Sequence, residues 1–185
     1  MRKLLKTLAM IGIAVTLSNE AAEAASGPEN TLVLELKTGE VVIELLPEVA
    51  PNHVARIKEL TREGFYDGIV FHRVIDGFMA QTGDPTGTGT GGSGKKLKAE
   101  FSKEPFLRGT VGMARAQSPD SGDSQFFITF DAAQFLDGQY TVWGRVVEGM
   151  EHVDQIKKAH NGSQSGQVSD PDKIVRMRVQ ADIKN

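Results

Sequence analysis

The chain contains no cysteine. Thiol nucleophiles, thiolate metal sites and disulfide staples are therefore excluded, and stability has to come from a packed core. Basic residues are not in excess either. The 21 Lys and Arg stand against 24 Asp and Glu, a net charge of −3, which gives no support for a nucleic-acid partner. Apolar runs are short: Leu8 to Leu17 is mostly apolar but only ten residues long, too brief to span a bilayer. The four histidines, His53, His72, His152 and His160, lack metal-ligand spacing. Ser121-Gly122-Asp123-Ser124 forms no nucleophile elbow, and Asp120 and Asp123 make no calcium loop. No internal repeat and no second domain are visible.

What is present begins with a leader-like segment. Arg2, Lys3 and Lys6 form a positive start, the ten-residue apolar run follows, and Ala22-Glu23-Ala24 supplies a small-x-small cleavage signal. That layout predicts a secretory signal peptide over residues 1–24 and a periplasmic destination, with no membrane association once the leader is removed. Residues 25–30 read as a short linker and 31–185 as one domain. Without residues 1–24 the chain carries 18 basic and 22 acidic side chains, net −4.

Within the domain, Thr31 to Leu36 and Val41 to Leu45 flank a Gly39 turn and predict a hairpin. Pro51 opens a helix with Val54, Ile57 and Leu60 on one face, and Gly64 closes it. Short strands are expected near 70–74, 78–81, 97–100, 111–115, 126–130, 140–146 and 174–183, and a second helix over 149–158 with Met150, Val153 and Ile156 facing inward. Many short strands with two helices suggest a mainly β fold, sandwich or barrel. The run Gly87 to Gly92 imitates a nucleotide fingerprint, and Gly89 to Lys95 nearly fits a phosphate loop. The flanking strand and helix are missing, however, and Lys96 sits where a hydroxyl should hold magnesium, so a flexible surface loop is the plain reading. Asn161-Gly162-Ser163 matches a glycosylation sequon but reads as a loop in a bacterial periplasm.

The chemistry concentrates in Phe71-His72-Arg73-Val74-Ile75-Asp76-Gly77-Phe78-Met79-Ala80-Gln81 and Ser124-Gln125-Phe126-Phe127-Ile128-Thr129. Arg73 is a fixed fork of donors that keeps its charge. Phe78, Met79 and Phe127 offer an apolar pocket, and Gln81 and Gln125 can both donate and accept. A pocket for one apolar ring beside an arginine suits a substrate whose reacting atom is a proline nitrogen. With Gly109 to Ala116 and Leu136-Asp137-Gly138, these blocks resemble the cyclophilin family of peptidyl-prolyl cis-trans isomerases in order and spacing, from about Asn30 to the C-terminus.

The resemblance implies a closed eight-stranded antiparallel β-barrel capped by two α-helices, with substrate bound on the outer wall. It implies isomerase activity on X-Pro bonds of unfolded or exposed polypeptide segments of exported proteins, without cofactor or metal, by a monomer. A proline-peptide-binding holdase with incidental rotation is the alternative. The resemblance makes Arg73 the catalytic donor, Gln81 its orienting partner or a contact to the substrate backbone, and Phe78 part of the catalytic pocket. Met79, Phe127 and Leu136 hold the ring, Gln125 binds substrate backbone, and the main chain of Arg115 pairs with substrate as an added strand would, between Ala114 and Ala116. His72 is expected to be a structural hydrogen-bonding residue. Phe135 and Tyr140 also line the site; they stand where well-known eukaryotic cyclophilins commonly have tryptophan and histidine, and Arg115 where they commonly have asparagine. The loss of an indole N–H at Phe135 implies weakened binding of cyclosporin-type cyclic peptides.

Overall fold

The computed structural model describes residues 27–160, 163 and 165–184. The expected leader, most of the linker, and Asn161 and Gly162 lie outside the described residues. β1 (Thr31–Leu36) and β2 (Gly39–Leu45) form the expected hairpin, with Leu36 opposite Gly39. Their alternating leucines, valine and isoleucine all turn into the core.

Helix α1 (Pro51–Arg62) starts at its proline and buries Val54, Ile57 and Leu60. Its N-cap, Ala50, has no capping side chain. Instead a distant carboxylate, Glu100, accepts the main-chain N–H groups of Asn52 and His53 at 3.1 and 3.0 Å, satisfying two of the donors that a helix start leaves open. At the other end Gly64 adopts φ +70°, a conformation costly for residues with a Cβ. Phe65 N–H then closes back on the Leu60 carbonyl at 3.0 Å.

The remaining strands are β3 (Arg73–Ile75), β4 (Met79–Thr82), β5 (Thr110–Met113), β6 (Phe126–Thr129), β7 (Val142–Glu148) and β8 (Arg176–Val179). All eight join one antiparallel sheet in the order β3-β4-β6-β5-β7-β2-β1-β8. The sheet curls around a core that includes Trp143, Tyr66, Phe71 and Phe126.

The expected closed barrel is corrected to an open half-barrel, because β3 and β8 do not pair. Segment 166–174 lies along the seam and pairs through isolated bridges instead of a ladder, Arg73 with Gln167 and Val70 with Lys173. The seam carries Pro171, which has no N–H to donate, and Asp170 at φ 51°, so a regular ladder cannot run through it.

Two further expectations need correction. Residues 97–100 form no strand beyond a bridge at Leu97; the Ala99 and Glu100 amides are taken by the side chains of Asp120 and Thr141. The second helix, α2 (Met150–Asp154), is half the expected length. The Lys157 N–H turns to the Asp172 carboxylate at 2.8 Å and the Ala159 N–H to the Val74 carbonyl at 3.0 Å. Both therefore leave the helical pattern, while Val153 and Ile156 stay buried.

Candidate active site

Strand alternation sorts the site residues to one face. Val74, Ala80, Phe126 and Ile128 point into the main core, and their neighbours Arg73, Ile75, Met79, Gln81 and Phe127 point outward. Register then aligns them. Arg73 lies opposite Gln81, Gln81 opposite Phe127, and Phe127 opposite Gly112, in one row across β3, β4, β6 and β5. A second apolar cluster, separate from the main core, forms under this row from Leu46, Met79, Phe106, Phe127, Ala133, Leu136 and Val142.

Above that cluster opens a cleft of about 280 Å³. Its walls are Arg73, Phe78, Met79, Gln81, Ala114, Arg115, Phe127, Phe135, Leu136 and Tyr140. Ala116 and Gln125 fall in an adjoining cleft of about 360 Å³, which shares Gln81, Ala114 and Arg115 with the first. The twelve residues expected from the sequence thus line these two adjoining clefts. Phe127 forms the floor, stacked on Phe106 at 5.7 Å and perpendicular to Tyr140 at 5.8 Å. Phe135 is 65% exposed and leans on Phe78 at 5.4 Å.

Arg73 is half-buried and held by neutral acceptors. Its Nε donates to the Ser165 carbonyl at 2.9 Å, and its Nη1 donates to Gln81 Oε1 at 3.2 Å and approaches Met79 Sδ at 3.9 Å. Burial pulls its pKa below the ordinary guanidinium value, opposed by the Tyr140 hydroxyl. Among the described residues no carboxylate pairs with it, so a full positive charge faces the apolar cleft. Gln81 is oriented in turn, its Nε2 donating to Gln125 Oε1 at 2.9 Å.

Gln125 is engaged differently from the expectation. Its Nε2 donates to the carbonyls of Gly89 and Gly91 at 3.1 and 2.8 Å, so it ties the glycine loop to the site. The Arg115 side chain is likewise occupied, by the carbonyls of Gln139, Ala116 and Gln117. Its own main-chain N–H and C=O make no hydrogen bond among the described residues. His72 is buried; burial lowers its pKa, and a hydrogen bond with the Val70 main chain opposes this. It packs beneath Gly89 as a largely apolar plate.

The glycine loop is braced rather than slack. Asp84, 1% exposed, accepts from Thr86 N–H and Oγ1, both at 2.7 Å, and from the Gly89 and Gly91 amides at 2.6 and 3.1 Å. Burial alone would raise its pKa, but these hydrogen bonds outweigh it and bring the value to about 2. Asp123 takes the Ser93 and Gly94 amides in the same way. The N–H groups of Gly89, Gly91, Ser93 and Gly94 are thus given to the protein's own carboxylates instead of standing open to a phosphate, as a nucleotide fingerprint requires. Among the described residues no group of three His, Cys, Asp or Glu side chains could hold a metal ion.

Sequence reading missed what lies under the floor. Phe106 is fully buried and anchored by its N–H to Asp137 Oδ1 at 2.8 Å and by its carbonyl to the Ala133 N–H at 2.8 Å. Gly112 lets Phe106 and Phe127 meet, since a Cβ there would fall 2.6 Å from each ring. A glycine between Val111 and Met113 in a strand was the available signal.

Comparison with known proteins follows the same lines. The family model for cyclophilin-type peptidyl-prolyl cis-trans isomerases matches residues 31–179. The chain is 53% identical over 184 residues to a probable peptidyl-prolyl cis-trans isomerase of Brucella suis, covering 93% of each. It is 43% identical over 130 residues to a peptidyl-prolyl cis-trans isomerase of Synechococcus elongatus, covering 70% of this chain and 88% of the relative. Among solved structures, a cyclophilin from Hirschia baltica superposes with a TM-score of 0.76 at 29% identity, covering 89% of this chain and 80% of the other. A cyclophilin-type isomerase from Cryptosporidium parvum, crystallised in the presence of the dipeptide Ala-Pro, gives 0.73 at 27% identity, covering 84% of this chain and 99% of the other.

Proposed function

Because this chain belongs to the cyclophilin-type peptidyl-prolyl cis-trans isomerases, we propose that it turns X-Pro bonds in unfolded or exposed segments of exported proteins, with Arg73 as the catalytic donor. The peptide C–N bond has partial double-bond character and a rotation barrier of roughly 18–20 kcal/mol. No covalent bond needs to break. A catalyst has only to bind the twisted amide better than the planar one. Twisting localises the lone pair on the proline nitrogen and makes it a hydrogen-bond acceptor. A guanidinium facing that nitrogen therefore binds more tightly as rotation proceeds. Raising the rate from about 10⁻² to about 10³ per second requires roughly 7 kcal/mol, more than one charge-assisted donor supplies. The remainder comes from fixing the ring among Phe78, Met79, Phe127 and Leu136, while the open main chain of Arg115 pairs with the preceding residues and holds the peptide in place.

One observation carries this reading: Arg73, without an acidic partner among the described residues, shares a cleft with the Met79 and Phe127 floor and is oriented by Gln81. The relative solved with Ala-Pro supports a proline peptide as ligand. The basic start, the apolar run and Ala22-Glu23-Ala24 support action in the periplasm; cell fractionation that finds the protein in the cytosol would exclude it. The activity test is a coupled proline-peptide assay. Arg73→Ala is expected to lower kcat/KM at least about tenfold, equivalent to roughly 1.4 kcal/mol of transition-state stabilisation. Full turnover by that variant refutes the role of Arg73.

A further inference from the structure

We infer that the Arg115 side chain is a positioning residue: it clamps the two rims of the proline cleft together and fixes Tyr140 as a wall. This deepens the preceding reading and rests on it. The first rim is segment 114–121, which follows β5. The second is segment 134–141, which leads into β7. The last main-chain link between them is Met113 N–H to the Thr141 carbonyl at 2.9 Å. Beyond it, among the described residues, the hydrogen bonds joining the rims are those of Arg115.

The guanidinium uses its whole fork. Nε and Nη2 both donate to the Gln139 carbonyl, at 3.2 and 3.1 Å. Nη1 donates to the carbonyls of Ala116 and Gln117, at 3.0 and 3.1 Å, on its own rim. The same group lies over the Tyr140 ring at 4.5 Å, a favourable cation–π distance. Tyr140 is therefore held by Arg115 over its face and by the perpendicular ring of Phe127. Each rim is also tied to itself: Ser121 Oγ accepts the Ala116 N–H at 2.9 Å, and Gln139 Nε2 donates to the Phe135 carbonyl at 3.0 Å. Residues 99 and 100 bridge the far ends of the two rims through Asp120 and Thr141, and Arg115 makes the direct side-chain link beside the cleft, which gives it a hold on cleft width.

The main-chain groups of Arg115 that stand open to substrate are carried by the same residue, so the clamp sets their position as well. Arg73 is held from elsewhere, by Gln81 and Ser165. Loss of the clamp should therefore weaken substrate in its ground and transition states alike, which raises KM and leaves kcat in place. Lysine keeps the charge but has no planar fork, and it cannot span three carbonyls.

The test measures kcat and KM on a proline peptide for the wild type, Arg115→Lys, Arg115→Ala and Arg73→Ala, with backbone order parameters from nitrogen relaxation. Both Arg115 variants are expected to raise KM about three- to tenfold, to keep kcat within about a factor of two, and to lose order at residues 115–117 and 139–140 together. If Arg115→Ala does not fold, Arg115→Lys carries the test alone. A wild-type KM in Arg115→Lys overturns the clamp, because charge without the fork would then suffice. Raised KM with both rims still ordered also overturns it, as does a fall in kcat at constant KM. Full activity of Arg73→Ala would instead remove the proline-cleft reading, whatever Arg115 does.

Discussion

Replacing Gly112 by alanine drives a methyl group into two rings at once. The new Cβ would lie 2.6 Å from Phe106 Cε1 and 2.6 Å from Phe127 Cζ, where ordinary contact begins near 3.4 Å. Something must yield by about 0.8 Å. Phe106 is fully buried and pinned at both its N–H and its carbonyl, whereas Phe127 faces the open cleft. Phe127 therefore moves, and it moves into the space reserved for the proline ring. Overpacking of this kind costs about 1–3 kcal/mol, or roughly 2–12 °C of melting temperature in a domain this size. A misplacement of nearly an ångström at the pocket floor lowers kcat/KM about ten- to hundredfold. The assay pairs thermal denaturation with proline-peptide turnover. Phe106→Leu, which shortens the opposing ring, is added in the Gly112→Ala background and should recover part of both losses. A Gly112→Ala protein with wild-type melting and wild-type turnover refutes the packing argument.

Asp84→Asn should destabilise the protein at neutral pH by about 2 kcal/mol, roughly 4–8 °C. The Asp84 carboxyl is depressed from 3.8 to about 2 in the folded state. Its contribution is thus complete above the unfolded value and is lost as pH falls through about 2. The gap in melting temperature between the wild type and the Asp84→Asn variant should therefore close between about pH 5 and about pH 2, and a gap that is constant across that range contradicts the assignment. Cyclosporin-type peptides should bind weakly, because Phe135 offers no N–H over the exposed rim. Phe135→Trp should tighten inhibition about tenfold, the worth of one hydrogen bond, while a nanomolar constant for the unaltered protein would contradict this.

Legibility in the sequence followed physical range. The β1–β2 hairpin and α1 were readable because alternation, a helix-opening proline and a closing glycine act over a few residues. The site residues were readable because the family's blocks carry them in order. The failures share another cause. Segment 97–100 has strand-like residues, yet its amides go to Asp120 and Thr141, which are distant in sequence. α2 is cut short by Asp172 and Val74 for the same reason. Phe106 and Gly112 acquire their importance only when register sets Gly112 beside Phe127. The open seam depends on how residues 166–174 lie along β3, which local pattern does not encode.

Mounting the guanidinium on the outermost strand makes its steadiness a property of the seam. β3 is laddered on one side only. On the other it hangs from scattered bonds, Val74 N–H to the Gly166 carbonyl and Val168 N–H to the His72 carbonyl, while Arg73 Nε itself grips Ser165. Fraying of that stretch loosens the very atom that must meet the substrate nitrogen. Residues that never touch a client peptide thereby govern how long each catalytic alignment lasts.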